Sequence, residues 1–259
     1  MGIKIIRSSL LTKVANVAHG FTTRNGGFSQ KPYASLNFSS RVGDKIEHVK
    51  ANRQQVLKEL GCSQSTLIFP KQVHGNAVFE VMHAASRVIE ADGLWTRDRQ
   101  VTLAVFTADC VPILISTSDG SAVAAIHAGW RGTRAHIAAR AVEKLVGAGY
   151  AAADLLVAVG PAIGPCCFEI DKNTYNELAL AYPNHGGALY PNQFERYVAN
   201  LWILNEQSLV AAGVVASNIE KLKYCTKCNS NDFFSHRGEN TPTGRQAALI
   251  SPRYAIHNS

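Results

Sequence analysis

The chain has 259 residues, 46% of them hydrophobic, and a formal net charge of +7 at pH 7. No apolar stretch reaches the roughly 20 residues that a membrane-spanning helix needs, and the first residues lack the apolar core of a signal peptide. The lysines and arginines are scattered, so the positive charge indicates ordinary solubility rather than nucleic-acid binding. We therefore expect a cytoplasmic protein with no membrane or nucleic-acid partner.

The first half of the chain alternates strand and helix patterns. Residues 17–23 read as a strand that runs into the Gly-rich turn 24–27. Asp44 is expected to begin a helix, with Glu47 as its capping-box partner, and Gly61 to end it. Three more strands are predicted, over 77–82, over 103–110 and over 122–127, and the last two are continuous apolar runs typical of buried strands.

The second half repeats these signals with irregular spacing. The turn 129–133 leads into a helix whose buried stripe lies between Ile137 and Leu145. Residues 155–159 read as a strand. Asn173 can cap a short helix that Pro183 ends, and Asn200 can cap a helix over 201–212, followed by a final strand near 246–250. No linker or repeat interrupts the chain, and no G-x-G-x-x-G follows a strand, which disfavours a dinucleotide-binding fold. These patterns predict one mixed α/β or α+β domain over residues 1–259 with a sizeable sheet core.

Six cysteines occur, at positions 62, 110, 166, 167, 225 and 228. Their spacing does not form the disulfide framework of a secreted protein. Cys225-x-x-Cys228 has the spacing of half a zinc finger, but no second C-x-x-C accompanies it, so we do not expect a structural zinc site there. A disulfide between the adjacent Cys166 and Cys167 would be strained.

The strongest candidates for chemistry are His74, Cys110 and His127. Cys110 and His127 come at the carboxyl ends of the two apolar runs, where open sheets place their sites. Two imidazoles and a thiolate suit zinc and leave a fourth coordination position free. The separations of 36 and 17 residues match no local metal motif. From the residues alone, a metal site, a Cys–His nucleophile pair and a set of buried, hydrogen-bonded side chains all remain open.

Several polar residues are candidates for binding substrate. Arg24, Arg131 and Arg237 could each hold a phosphate, Arg131 with help from the amino terminus of a helix. Asp109 could fix the tautomer of a metal-binding histidine. Gln72 and Asp92 are polar residues in apolar surroundings and could serve as hydrogen-bond partners. A structural or solvent-exposed role is the alternative for each of these residues.

A set of motifs along nearly the whole chain resembles the YfiH-like family, also described as laccase-domain or polyphenol oxidoreductase proteins and regarded as purine nucleoside phosphorylases. The matching segments are His19-Gly20-Phe21-Thr22-Thr23-Arg24-Asn25-Gly26-Gly27, Lys71-Gln72-Val73-His74-Gly75, Ala91-Asp92-Gly93-Leu94, Thr107-Ala108-Asp109-Cys110-Val111-Pro112, His127-Ala128-Gly129-Trp130-Arg131-Gly132, Gly160-Pro161-Ala162-Ile163-Gly164-Pro165, Cys225-Thr226, Phe233-Phe234-Ser235 and Thr243-Gly244-Arg245.

This resemblance implies a layered α-β-β-α sandwich and a zinc ion bound by His74, Cys110 and His127. It implies phosphorolysis of adenosine, inosine and methylthioadenosine to free base and a ribose 1-phosphate, with adenosine deamination as a side activity. The expected partners are small-molecule purine nucleosides and phosphate, and the expected state is a monomer or a weak homodimer. Two departures from the family pattern are Asn200 before Leu-Trp and His236 after Ser235. His236 could alter substrate preference.

Two other enzyme classes remain as alternatives. Copper-dependent polyphenol oxidation is the older family label, but the chain has nine histidines and no H-x-H pair from which to build a multicopper cluster. A Cys–His hydrolase or amidase acting on a cell-wall peptide would use Cys110 as nucleophile and His127 as base, an idea that rests on fold analogy with a bacterial toxin deamidase. A non-catalytic metal-binding protein would turn over no nucleoside.

Overall fold

The computed structural model describes residues 2–82, 88–192, 196–239 and 242–253. Its helices are α1 Ser9–Thr12, α2 Ile46–Glu59, α3 Trp130–Arg134, α4 Ile137–Gly147, α5 Lys172–Ala181 and α6 Leu201–Ala211. Its strands are β1 Ile5–Ile6, β2 Val17–Thr22, β3 Thr66–Ile68, β4 Val78–Glu80, β5 Gly93–Thr96, β6 Val101–Thr107, β7 Val111–Thr117, β8 Val123–Ala128, β9 Leu155–Val159, β10 Glu169–Ile170, β11 Leu189–Pro191, β12 Tyr197–Ala199, β13 Ile219–Lys221 and β14 Gln246–Pro252. Three short 3-10 helices cover Ser40–Val42, Ala152–Asp154 and Ala216–Asn218.

Two large sheets form the middle of the molecule. The five-stranded sheet has the order β1-β2-β14-β6-β3, and the six-stranded sheet has the order β13-β9-β7-β8-β5-β4. The strand β14 lies antiparallel between β2 and β6, although it comes from the end of the chain. A small third sheet has the order β10-β12-β11. The central strands are therefore buried on both faces, which explains why they read as continuous apolar runs.

The side chains of these strands alternate between separate core layers. Along β14, Ala248 and Ile250 face the six-stranded sheet, while Ala247 and Leu249 pack toward α2. On the outer face of the six-stranded sheet, α4 and α6 cover the largest core cluster. The order of layers is α2, five-stranded sheet, six-stranded sheet, then α3 to α6. The predicted α+β fold with an α-β-β-α sandwich is confirmed.

Several helix ends differ from the sequence predictions. Asp44 and Glu47 form no capping box: α2 begins after Lys45, and the Asp44 carboxylate instead accepts hydrogen bonds from Lys45 N and Asn37 Nδ2. Asn173 is not the cap of α5, because the side chain of Asp171 accepts the bond from Thr174 N. Asn200 caps α6 as predicted.

The helix predicted after the turn 129–133 is broken into two. The helix α3 starts directly at Trp130, and α4 starts after His136, whose φ of 53° is left-handed. Thr133 lies inside α3, fully buried. A histidine in this conformation interrupts the helical hydrogen bonding, so the chain changes direction between the two helices.

Within the described ranges, we find no helix with both the length and the hydropathy to cross a membrane.

Candidate active site

Cys110 lies where the chain crosses from one large sheet to the other. The strand β6 of the five-stranded sheet ends at Thr107, and β7 of the six-stranded sheet begins at Val111. Cys110 therefore lies in the connecting turn, three residues beyond the end of β6, and not at the end of the strand as the apolar run had predicted. The preceding residue, Asp109, has a φ of 91°, which an aspartate adopts more readily than most residues. This tight crossover turns the thiol of Cys110 toward a cavity between the layers.

The structure brings His74 and His127 beside this thiol. Their ligand atoms and the Cys110 Sγ all lie within 4.8 Å of one another. His127 is buried near the end of β8, whereas His74 is exposed on the loop after β3, with a left-handed φ of 60°. Gly129 passes so close that an added Cβ would lie 3.1 Å from the Cys110 Sγ. A soft set of two nitrogens and one sulfur fits zinc and leaves one coordination position open.

Asp92 organises two of the three ligands. Its carboxylate is fully buried, and Oδ1 lies 2.8 Å from the Nδ1 of His127. The same carboxylate accepts hydrogen bonds from the backbone N–H groups of Val73, His74 and Gly75. This bond to Nδ1 leaves Nε2 of His127 available to a metal. The orienting role that the sequence suggested for Asp109 thus belongs to Asp92.

The electrostatics favour a thiolate at Cys110. Burial by itself raises the pKa of this thiol, but His127 and His74 outweigh burial and lower the pKa to about 6. Burial alone would lower the pKa of His127, yet Cys110 and Asp92 raise that pKa to about 9. A metal would bind the thiolate and displace the His127 proton, so metal affinity should fall as the pH falls.

The three candidate ligands line a cavity of about 410 Å³. Its wall also carries three arginines, and it contains no Asp or Glu among the described residues. The lining is Ser39, Ser40, Arg41, Val42, Arg53, Phe69, Pro70, Gln72, His74, Phe106, Thr107, Ala108, Cys110, His127, His236 and Arg245. A cavity with this charge suits an anionic ligand.

Two of these arginines are held in place by the protein. The Arg53 guanidinium donates two hydrogen bonds to the carbonyl of Phe38 and lies 4.4 Å above the ring of Phe69. Burial, reinforced by the nearby Arg41, lowers its pKa to about 10, so it remains charged at neutral pH. Arg245 donates from Nη1 to the carbonyls of Thr243 and Gly244, and burial lowers its pKa. Both are fixed cations with donors left for a ligand.

Gln72 lies in the cavity wall, but its amide group is occupied. It donates to the carbonyl of Phe106 and accepts from the Phe106 N–H. Asp109 points away from the three ligands: its carboxylate accepts from the Thr226 hydroxyl at 2.6 Å and from the Arg237 N–H at 2.7 Å. Both residues therefore stabilise the protein segments around the site.

The other three predicted substrate residues lie outside the cavity lining. Arg24 pairs with Glu239 and donates to the carbonyl of Ser230. Arg131 is exposed and stacks on Trp130. Arg237 donates to the carbonyl of Glu169 and borders a different surface depression. The structure does not bring these three guanidinium groups to the candidate metal ligands.

Sequence reasoning missed Arg41, Arg53 and Arg245. Arg245 ends one of the family motifs and directly precedes the buried strand β14, which was an available signal. Arg53 lies on α2, and Arg41 in the 3-10 helix before it, where nothing in the local pattern marks them. The layered fold alone places them opposite Cys110.

Comparisons of the sequence with known proteins point to one family. The family model described as "Multi-copper polyphenol oxidoreductase laccase" matches residues 18–253. The chain is 36% identical over 253 residues to "Purine nucleoside phosphorylase YlmD" of Geobacillus stearothermophilus, covering 92% of this chain and 91% of that protein. It is 34% identical to "Purine nucleoside phosphorylase YfiH" of Escherichia coli, covering 90% and 93%.

Solved structures show the same fold. The crystal structure of YlmD from Geobacillus stearothermophilus superposes with a TM-score of 0.89 at 33% identity, covering 98% of this chain and 97% of that one. A Bacillus licheniformis hypothetical protein YfiH gives a TM-score of 0.84 at 33% identity, covering 92% and 93%. The chain therefore belongs to the laccase-domain family of YfiH and YlmD proteins.

Proposed function

We propose that this chain is a zinc-dependent purine nucleoside phosphorylase. It would cleave adenosine, inosine and methylthioadenosine with phosphate to the free base and a ribose 1-phosphate, and deaminate adenosine as a side activity. Its relatives are named purine nucleoside phosphorylases, which supports the general reaction. We further propose that residues 1–259 act as one catalytic domain.

The observation that carries this proposal is the composition of the cavity. A candidate zinc site at Cys110 shares one acid-free cavity with Arg41, Arg53 and Arg245. Phosphate is a co-substrate of phosphorolysis, and arginine suits it because a guanidinium donates two hydrogen bonds in one plane. The buried hydroxyl of Thr107, also in the wall, has no hydrogen-bond partner among the described residues and is free to bind a ligand.

The residues of the cavity would have the following roles. Arg53 and Arg245 hold phosphate against the ribose, which positions it for attack on the carbon that loses the base. The bound phosphate also offsets the positive charge that develops on the sugar. His236, a cavity histidine outside the candidate metal cluster, would donate a proton to the departing purine. Zinc, when bound, would supply a Lewis acid that polarises the nucleoside.

The deciding experiment is chromatography of adenosine and inosine incubated with the purified protein, with and without phosphate. Release of free base only in the presence of phosphate supports phosphorolysis, and inosine formed from adenosine reports deamination. Cys110→Ala and His127→Ala should each lose the zinc of this site and both activities. A folded variant that lacks the zinc of this site but keeps full phosphorolysis would contradict the proposal.

A Cys–His hydrolase is the second candidate, because the same residues also have the arrangement of a catalytic triad. The Cys110 thiol lies within 4.8 Å of a ring nitrogen of His127, and His127 is hydrogen-bonded to Asp92, which gives a nucleophile, a base and an orienting carboxylate. Alkylation of Cys110 by iodoacetamide distinguishes the zinc enzyme from the Cys–His hydrolase. Zinc should protect the thiol if the metal site is the functional state, and reactivity independent of zinc would favour the hydrolase.

Copper-dependent polyphenol oxidation keeps the support of the family description. However, the described residues bring only two imidazoles and one thiolate together at this site. A multicopper centre needs more nitrogen ligands than these. Elemental analysis of protein purified without added copper, combined with a phenol oxidation assay, tests this alternative.

A further inference from the structure

A second cluster of possible metal ligands, made of four cysteines, lies away from the active-site cavity. Cys166 and Cys167, on the turn after β9, meet Cys225 and Cys228, on the turn after β13. The four Sγ atoms all lie within 4.8 Å of one another, and Cys228 Sγ is 3.4 Å from the Sγ of both Cys166 and Cys167. The sequence has no second C-x-x-C pair to complete a zinc site with Cys225 and Cys228. In the structure, two adjacent cysteines from another loop provide the missing ligands.

The spacing of these sulfur atoms fits a single tetrahedral metal ion. With Zn–S bonds of about 2.3 Å, the sulfurs of a tetrahedral site lie ~3.8 Å apart. A multi-iron cluster would hold its thiolates farther apart, because several iron and sulfide atoms lie between them. All six cysteines of the chain are free thiols, and Cys228 is equally close to two others, which singles out no disulfide pair.

The surrounding backbone also suits thiolate ligands. The N–H of Gly164 donates to the Cys225 Sγ at 3.3 Å. Such a bond stabilises a sulfur that carries negative charge and directs its remaining lone pairs. Cys225 is buried, whereas Cys166 and Cys228 are exposed, so an ion can reach the site from solvent.

The two loops are linked to each other and to the crossover turn. Ala162 N donates to the Tyr224 carbonyl, and Thr226 N donates to the Ala162 carbonyl. The Ile163 N–H and the Thr226 hydroxyl both donate to Asp109, the neighbour of Cys110. A metal here would cross-link the loops that hold this turn.

We propose that Cys166, Cys167, Cys225 and Cys228 bind a second, structural zinc ion. The site is closed, with four protein ligands, whereas the His74–Cys110–His127 site has three and keeps an open position. Its role is to fasten the loops after β9 and β13 together. This proposal does not depend on the reaction that the chain catalyses.

The metal content of the full-length protein tests it. Protein expressed with zinc and purified under reducing conditions should carry about two zinc ions per chain. Cys110→Ala should remove one, and the double variant Cys166→Ser/Cys228→Ser should remove the other. Cys62→Ser, which alters a buried cysteine that belongs to neither cluster, is the matched control and should keep both ions.

X-ray absorption of the Cys110→Ala protein keeps the test decisive if the double variant fails to fold. The remaining zinc should show a shell of four sulfurs at about 2.3 Å. Nitrogen or oxygen ligands in that shell would overturn the proposal, as would Cys110→Ala protein that carries no zinc or that has Cys228 in a disulfide. Trypsin provides an independent readout: Lys223 and Lys227 of the second loop are exposed, and removal of this ion should free the loop and speed cleavage after them.

Discussion

Asp92 is the buried charge on which the arrangement of the active site depends. Its two oxygens accept hydrogen bonds from three consecutive backbone N–H groups and contact His127. His127 and the hydrogen-bonded N–H groups hold the pKa of this carboxyl below its usual value, although burial acts in the opposite direction. A charged acceptor here fixes both the loop that carries His74 and the ring of His127.

We expect Asp92→Asn to weaken zinc binding by about 10- to 100-fold, the usual cost of losing a carboxylate behind a ligating histidine. The side-chain NH2 group of the asparagine would also face backbone N–H groups and could not accept hydrogen bonds from them, so thermal stability should fall. Competition with a zinc chelator measures the affinity. Asp154→Asn, on the surface, is the matched control, and equal affinities in the two variants would contradict the role of Asp92.

The arginines of the cavity give a test of where phosphate binds. A hydrogen bond between charged groups contributes about 1.5–3 kcal/mol, so Arg245→Gln should raise the KM for phosphate by roughly 10- to 100-fold. The KM for the nucleoside should change much less. Steady-state kinetics with each substrate varied in turn gives both values.

Arg140→Gln, on the exposed face of α4, is the control for this measurement. The sequence-based assignment of phosphate to Arg24, Arg131 and Arg237 makes a contrary prediction. If Arg237→Gln raises the KM for phosphate and Arg245→Gln does not, the cavity assignment is wrong.

At the scale of single elements, β2 carries a buried histidine that the mechanism does not use. The Nε2 of His19 accepts a hydrogen bond from the Ser8 N–H, which ties the start of α1 to this strand. Burial lowers the pKa of His19 to about 4, with a smaller effect from Arg7. The side chain is therefore neutral in the folded protein at neutral pH.

This shift predicts a pH dependence of stability. Between pH 6.5 and 4 the unfolded chain binds a proton at His19 that the folded chain does not, so stability falls as the pH falls through this range. The loss from this one group amounts to about 3 kcal/mol at most. His19→Gln keeps a hydrogen-bond acceptor but does not titrate, so its stability should vary less with pH.

Urea unfolding at several pH values measures this difference. Because both proteins have the same metal ligands, subtracting one curve from the other isolates the contribution of His19. The two proteins should differ little in slope above pH 7. Parallel curves down to pH 4 would show that His19 does not titrate as its burial implies.

At the scale of the whole molecule, the contact between the two large sheets holds the active-site crossover in place. Leu114 of β7 is fully buried in the core layer between the sheets. Leu114→Ala should lower the free energy of unfolding by about 3–5 kcal/mol, through lost burial and the cavity that is left. Leu180→Ala on α5, where the leucine is 86% exposed, should change it by less than about 0.5 kcal/mol. Similar losses in both variants would show that the packing between the sheets is not decisive.

The sequence by itself determined the elements with strong local signals. The apolar runs around β6, β8 and β14 are buried on both faces, and Asn200 with Gly213 delimits α6, because burial and backbone conformation act on neighbouring residues. The motifs also indicated His74, Cys110 and His127 as one group, by resemblance to a family. The spacing of these residues could not choose between a metal site and a nucleophile pair, and only the resemblance implied zinc.

The tertiary structure alone decided which distant residues meet. It assigned the support of His127 to Asp92 rather than to Asp109, placed Arg53 and Arg245 in the cavity, and joined Cys166 and Cys167 to a C-x-x-C pair about sixty residues away. Crossovers between sheets and loops at the ends of neighbouring strands bring these groups together. Such contacts depend on the packing of layers, and local patterns in a chain contain no information about the spacing between layers.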